Sequence, residues 1–307
     1  MFQQAKFTGQ TRPDDPTYEK GKHIVEEHAQ ALAAAQRRGD RREEGIQLAH
    51  LAFAHVFHLE QPNAAIAHYE QALQIFREIG DRSMEARTLG HLGMLYLVVQ
   101  KLKRAVEYKQ QAIRIYAAID DRDGEIDQLT SLGLLYGNYG FSERANFYFK
   151  KALALTREIR SRQKEAVALT NIGVTHAELR QEKPAFDHLE LARNLFHEIG
   201  NRKEEAETLQ SMGTLHILRG QTEFGIRSFE EALAISREID SRETEAELLK
   251  SIGMAYQRQR EYDKAIQYCQ AALEIHGSTE SAEGRMLQMR LEACRRLANK
   301  KWWEFWS

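Results

Sequence analysis

The chain has 307 residues, 42% of them apolar and 29% charged, with a formal net charge of −2 at pH 7. That balance offers no basic field for nucleic acid. It also contains no apolar run of about eighteen residues that would span a membrane, and no charged-then-apolar leader at its start. Cys269 and Cys294 are too few for a disulfide framework and lack metal-ligand spacing, so a reducing, cytoplasmic setting is expected.

In chain order, residues 1–16, with Pro13-Asp-Asp-Pro16, predict an unstructured start. Residues 17–38 read as one extra helix. Six helical hairpins follow at 41–79, 82–119, 122–159, 162–199, 202–239 and 242–276, the first with one additional residue. A helix over 281–300 closes the array, and 301–307 form an aromatic tail. The hairpins are copies of one unit. Gly93, Gly133, Gly173, Gly213 and Gly253 stand 40 residues apart, each with a leucine four residues earlier. A glutamate (Glu85 to Glu245) and an arginine (Arg82 to Arg242) precede each glycine in the same register. A fixed period of this length marks stacked repeats.

Within the copy that begins at Asp81, Leu89, Leu92, Gly93 and Tyr96 recur at i, i+3, i+4 and i+7, one stripe of an α-helix. A second stripe runs through Ala105, Val106, Ala112, Ile113 and Tyr116, and the short polar link between the two requires antiparallel packing. A glycine inside a helix costs about 1 kcal/mol against alanine, so its recurrence needs a packing reason. Ala105, Ala145, Ala185, Gly225 and Ala265 on the second helix supply one, since small residues let the backbones approach. Asp81, Asp121, Ser161, Asn201 and Ser241 all accept bonds from helix-start amides. The recurrent arginine lies three residues before the glutamate, so the two are expected to pair as a clamp at each junction.

These residues resemble the tetratricopeptide repeat, whose L-x2-L-G-x2-Y first helix is matched by Leu89, Leu92, Gly93 and Tyr96. Ala145 with Phe149 and Gly225 with Phe229 match its second helix, and the 40-residue period lengthens the usual unit. The resemblance covers residues 18–300. It implies an all-α, right-handed superhelical solenoid of antiparallel hairpins. Its implied function is a non-catalytic scaffold or adaptor that binds a peptide or helix of a partner protein, without metal or cofactor. In that fold the first helices line a concave groove, faced by the residue after each glycine: Met94, Leu134, Val174, Thr214 and Met254. One turn away lie Thr130, Thr170, Gln210 and Lys250, with Leu97 and Arg258 beyond. Relatives that clamp a peptide backbone often carry asparagine after the glycine; the slot is apolar here, which suits an amphipathic helix or an apolar-anchored peptide. A bacterial peptide-sensing regulator is the alternative the resemblance allows.

Twelve histidines raise the question of metal or acid–base chemistry. His55, His176 and His216 stand in the slot held by Tyr96, Tyr136 and Tyr256, which predicts aromatic packing, and Cys269 stands in the slot of Phe149 and Phe229. Only His55 and His58, with His50 and His68 nearby, admit a metal site. No HExxH, Walker, GxGxxG or GxSxG motif occurs. The tail is the second unusual feature. Trp302, Trp303, Phe305 and Trp306 include all three tryptophans of the chain. Such a cluster predicts an anchor that docks on the chain itself, on a partner or second copy, or, with Lys300 and Lys301, on a membrane surface as an assembly factor would.

Overall fold

The computed structural model describes residues 16–276 and 282–299 as fourteen helices joined by short turns. Residues 1–15, 277–281 and 300–307 lie outside this description, and with them most of the expected unstructured start and the aromatic tail. The chain divides into two compact units, Met1–Leu135 and Tyr136–Ser307. The first holds α1 (Pro16–Arg38), α2 (Arg41–Phe57), α3 (Pro62–Glu78), α4 (Arg82–Val98), α5 (Leu102–Ala118) and most of α6 (Arg122–Asn138). The second holds the end of α6, then α7 (Ser142–Glu158), α8 (Arg162–Glu178), α9 (Glu182–Glu198) and α10 (Arg202–Leu218). It continues through α11 (Thr222–Glu238), α12 (Arg242–Arg258), α13 (Tyr262–His276) and α14 (Ala282–Ala298). In each unit a helix packs on the next in sequence, and in the second α10 also touches α8 and α12. This nearest-neighbour packing is the stacked-hairpin solenoid expected from the period. Pro16, expected in the unstructured start, instead heads α1, where a missing N–H costs nothing.

Most first helices carry a side-chain N-cap, and the second helices α3, α5, α7, α9 and α11 do not. Asp40 accepts from the Glu43 amide at 3.1 Å, Asp81 from Met84 at 3.1 Å, Asp121 from Gly124 at 2.8 Å and Asn201 from Glu204 at 3.3 Å. Ser241 departs from the expected pattern. Its hydroxyl meets the Thr244 hydroxyl at 2.9 Å, because a neighbouring side chain competes for it. The residues before α3, α5, α7, α9 and α11 make no side-chain cap, so these helices owe their stability to packing.

Left-handed residues end the helices and keep the links short. Gly80, at φ 71°, lets Asp81 donate back to the Phe76 carbonyl at 2.9 Å. Arg160 and Arg180 adopt the same region at φ 54° and 57° without glycine's freedom.

The mid-helix glycines sit where a side chain has no room. A Cβ on Gly173 would come within 2.7 Å of Leu189 Cγ and 3.1 Å of the Ala185 carbonyl oxygen. One on Gly213 would meet Phe229 at 2.6 Å and the Gly225 carbonyl at 3.0 Å. The small second-helix residue therefore brings its carbonyl close, as expected, and the larger side chain one turn later fills the hollow. Ala52 takes the glycine's place in the first hairpin. The junction clamp forms at Glu85, Glu125, Glu165 and Glu205, whereas Glu245 pairs with Arg237 of the preceding helix instead of the expected Arg242. Glu85, buried, accepts from Arg82 and from Arg77 of the preceding helix at 2.5 and 3.0 Å. Glu165 pairs with Arg162 and Arg157, and Glu205 with Arg202 and His197.

Candidate functional site

In the first unit, helices α2, α4 and α6 present equivalent slots. Because α2 starts at Arg41 and α4 at Arg82, the slot of Met94 falls on Phe53 in α2 and on Leu134 in α6. Phe53 is 48% exposed and Leu134 46%, while Met94 is half-buried. Phe57, one turn beyond Phe53, lies tilted against it with ring centroids 4.2 Å apart and is also exposed. Leu97 and Thr130 are half-buried, and Gly90 is covered by the Gln128 amide, 2.9 Å from where its Cβ would lie. The face is a line of apolar side chains open to solvent. Counting back from Met94 in steps of 40 misses Phe53 and Phe57, because the extra residue of the first hairpin shifts its first helix by one.

In the second unit the same slot holds Val174, Thr214 and Met254, all exposed. Thr214 donates its hydroxyl to the Gln210 carbonyl at 3.0 Å, and Thr170 to the Ala166 carbonyl at 3.1 Å. Lys250 is half-buried and paired with Glu247 at 2.5 Å, so its charge is already answered within its own helix. Gln210 is half-buried, and Arg258 is exposed. Leu218, on the turn after Thr214, is 71% exposed and had no signal in the repeat pattern.

The titratable residues serve packing. His176 stacks on His188 at 5.3 Å and bonds Gln181 through Nδ1 at 2.6 Å; His216 lies against Phe186 at 4.4 Å and Phe224 at 5.7 Å. In the other copies the slot pairs Tyr96 with Tyr108, Tyr136 with Tyr148 and Tyr256 with Tyr268. Burial holds His68 and His176 below the ordinary histidine range, so both are neutral rings at pH 7. His55 stacks on His68, and His50 lies tilted against His28. Among the described residues no three His, Cys, Asp or Glu side chains are placed to hold a metal ion. Cys269 is fully buried against Gly253, and burial pushes its thiol up to about 11.

One interior residue breaks the pattern. Lys109 occupies the column of Tyr69, Phe149, Leu189, Phe229 and Cys269, with 1% exposure. Its stem fills the hollow at Gly93, where a Cβ would meet Lys109 Cγ at 2.7 Å, and its Nζ donates to Ser131 Oγ at 2.7 Å. Burial lowers its pKa to about 8.

Among the described residues no helix is long and apolar enough to cross a membrane. A search of the curated proteins finds no match. Solved structures share the fold at low identity. The chain is similar to a signal-transduction ATPase with a tetratricopeptide repeat sensor from Pyrococcus horikoshii, at 16% identity and a TM-score of 0.70 over 93% of this chain and 43% of that one. It is similar to the apo form of RapI at 17% identity and a TM-score of 0.60, covering 84% of this chain and all of that one. A Rap protein complexed with competence and sporulation factor aligns at 15% identity and a TM-score of 0.55, over 84% of this chain and 78% of that one. The tetratricopeptide repeat family model matches residues 43–118 and 204–278, one region in each unit. Period, hairpin packing and family match agree: tetratricopeptide repeats stand in both units of the chain.

Proposed function

We propose that the protein is a non-catalytic adaptor that holds an amphipathic helix or apolar-anchored peptide of a partner protein on its first helices. The observation that carries this reading is the set of exposed apolar side chains in one repeat register, Phe53 and Leu134 in the first unit and Val174 and Met254 in the second, with Met94 half-buried in the same slot. Soluble proteins expose such aligned apolar residues where they bind. A helix with anchors one and two turns apart matches side chains repeated along a helical face. The slots lack the asparagine amides that would clamp an extended backbone, which favours apolar anchoring. Both cysteines are buried and free, in keeping with a cytoplasmic setting.

The test is retention of cellular proteins by the immobilised chain, compared with Phe53→Glu combined with Leu134→Glu. Both side chains are already in solvent, so helix content should be unchanged. The reading expects specific partners to be lost from the double variant; partners retained at wild-type level would refute it. The likeness to the Rap complex supports a second reading, a regulator whose face closes on a signalling ligand. That reading expects compaction in small-angle scattering when a peptide is bound, whereas a rigid adaptor keeps its radius of gyration.

A further inference from the structure

The last helix, α14, carries two apolar stripes and only one of them is covered. Leu287, Leu291 and Cys294 are buried. They stand 39 residues after Leu248, Ile252 and Ala255 of α12, which are buried in the same way. In that register Met286, Met289, Ala293 and Leu297 follow Glu247, Lys250, Met254 and Arg258, so they occupy the outward slots of a first helix. Met286 is 67% exposed and Met289 70%, with Leu297 exposed beside them. The side of α14 that would meet a further second helix is polar instead, with Glu292 and Arg295 in solvent and Gln288 bonded to Glu292 at 3.0 Å. The helix therefore ends the stack on one side and leaves a methionine-rich stripe on another.

The stripe amounts to a few hundred Å², well below the roughly 800 Å² per partner of a stable dimer. It does match the segment that follows it. Three residues separate α14's end at Ala298 from Trp302. Of residues 302–306, four are aromatic (Trp302, Trp303, Phe305 and Trp306) and Glu304 is the one charged residue. A chain as long as residues 299–306 can extend about 26 Å, further than the roughly 18 Å from Ala298 back to Met286 along α14. Thioethers make favourable contacts with aromatic rings, and so short a tether gives the segment an effective concentration on the order of millimolar.

We propose that residues 302–306 dock on the Met286–Met289–Leu297 stripe of their own α14, covering the end of the second unit's first-helix face with a built-in apolar plug. The chain supplies its own probe, because all three tryptophans lie in this segment and tryptophan emission reports on nothing else. The full-length protein should emit at the short wavelength of a buried indole, resist acrylamide quenching, and do both independently of protein concentration. Met286→Asp combined with Met289→Asp should shift emission to that of exposed tryptophan and raise the quenching constant several-fold, with far-ultraviolet helicity unchanged. Leu218→Asp, on α10, should leave the emission as it was. The proposal is overturned if wild type and the methionine double variant emit alike. It is equally overturned if burial develops only as protein concentration rises, which assigns the stripe to a second copy. Burial only on addition of phosphatidylcholine–phosphatidylserine vesicles would also overturn it, assigning the segment to a membrane.

Discussion

Replacing Lys109 with leucine should stabilise the protein, and the gain should depend on pH in a way that identifies its cause. The amine is buried to 1% exposure, its one hydrogen bond goes to the neutral Ser131 hydroxyl, and burial alone lowers its pKa from 10.5 to about 8. A difference of that size corresponds to about 3 kcal/mol of destabilisation by the buried charge when the pH is well below 8. The folded-state pKa is the lower one, so between the two values the unfolded chain holds a proton that the folded chain has released. Wild-type stability then rises with pH across that window by up to about 1.4 kcal/mol per unit. Lys109→Leu has no such slope and keeps a Cγ against Gly93, as Leu189 does at Gly173. In urea denaturation followed by helicity, the variant should lead the wild type by about 2–3 kcal/mol near neutral pH, the gap narrowing toward pH 10. Taking the difference between the two proteins cancels the titration of Cys269 and the other high-pKa groups. A variant less stable than wild type by the same amount at every pH would refute the reasoning, because the amine would then be an asset to the fold.

Gly173→Ala should lower the melting temperature, since the Cβ collides with Leu189 and the Ala185 carbonyl; overpacking costs about 1–3 kcal/mol and outweighs the roughly 1 kcal/mol gain in helix propensity. An unchanged or higher melting temperature would mean that the hairpin relaxes freely there. Arg160→Gly should raise stability by roughly 0.5–1 kcal/mol, because an exposed arginine at φ 54° gives way to the residue that region favours. Asp81→Ala removes the cap on the Met84 amide and should cost about 1 kcal/mol, readable as a lower urea midpoint and faster exchange of the first amides of α4.

The repeat made most of the fold legible. Position-specific pairs such as Arg82 with Glu85, the caps at Asp81 and Asn201, and the ring slot of Tyr96 and His176 follow from spacing alone, because each contact lies within one unit or its neighbour. What escaped the period has identifiable causes. Phe53 and Phe57 were hidden by the single extra residue between α2 and α3. Lys109 contradicts the rule that lysine stays in solvent, and only its column with Phe149, Leu189 and Phe229 marks it as interior. The methionine stripe of α14 becomes visible only once burial fixes which side of that helix faces the stack.

The claim that partners lie on the first helices is tested most directly by site-specific photo-cross-linking in cells. A benzophenone side chain placed at Leu134 or Val174, both on first helices, would be compared with one at Arg114, exposed on the second helix α5. The account predicts discrete adducts with the same partner protein from Leu134 and Val174 and none from Arg114. Adducts from Arg114 alone, or equal labelling at all three positions, would contradict it.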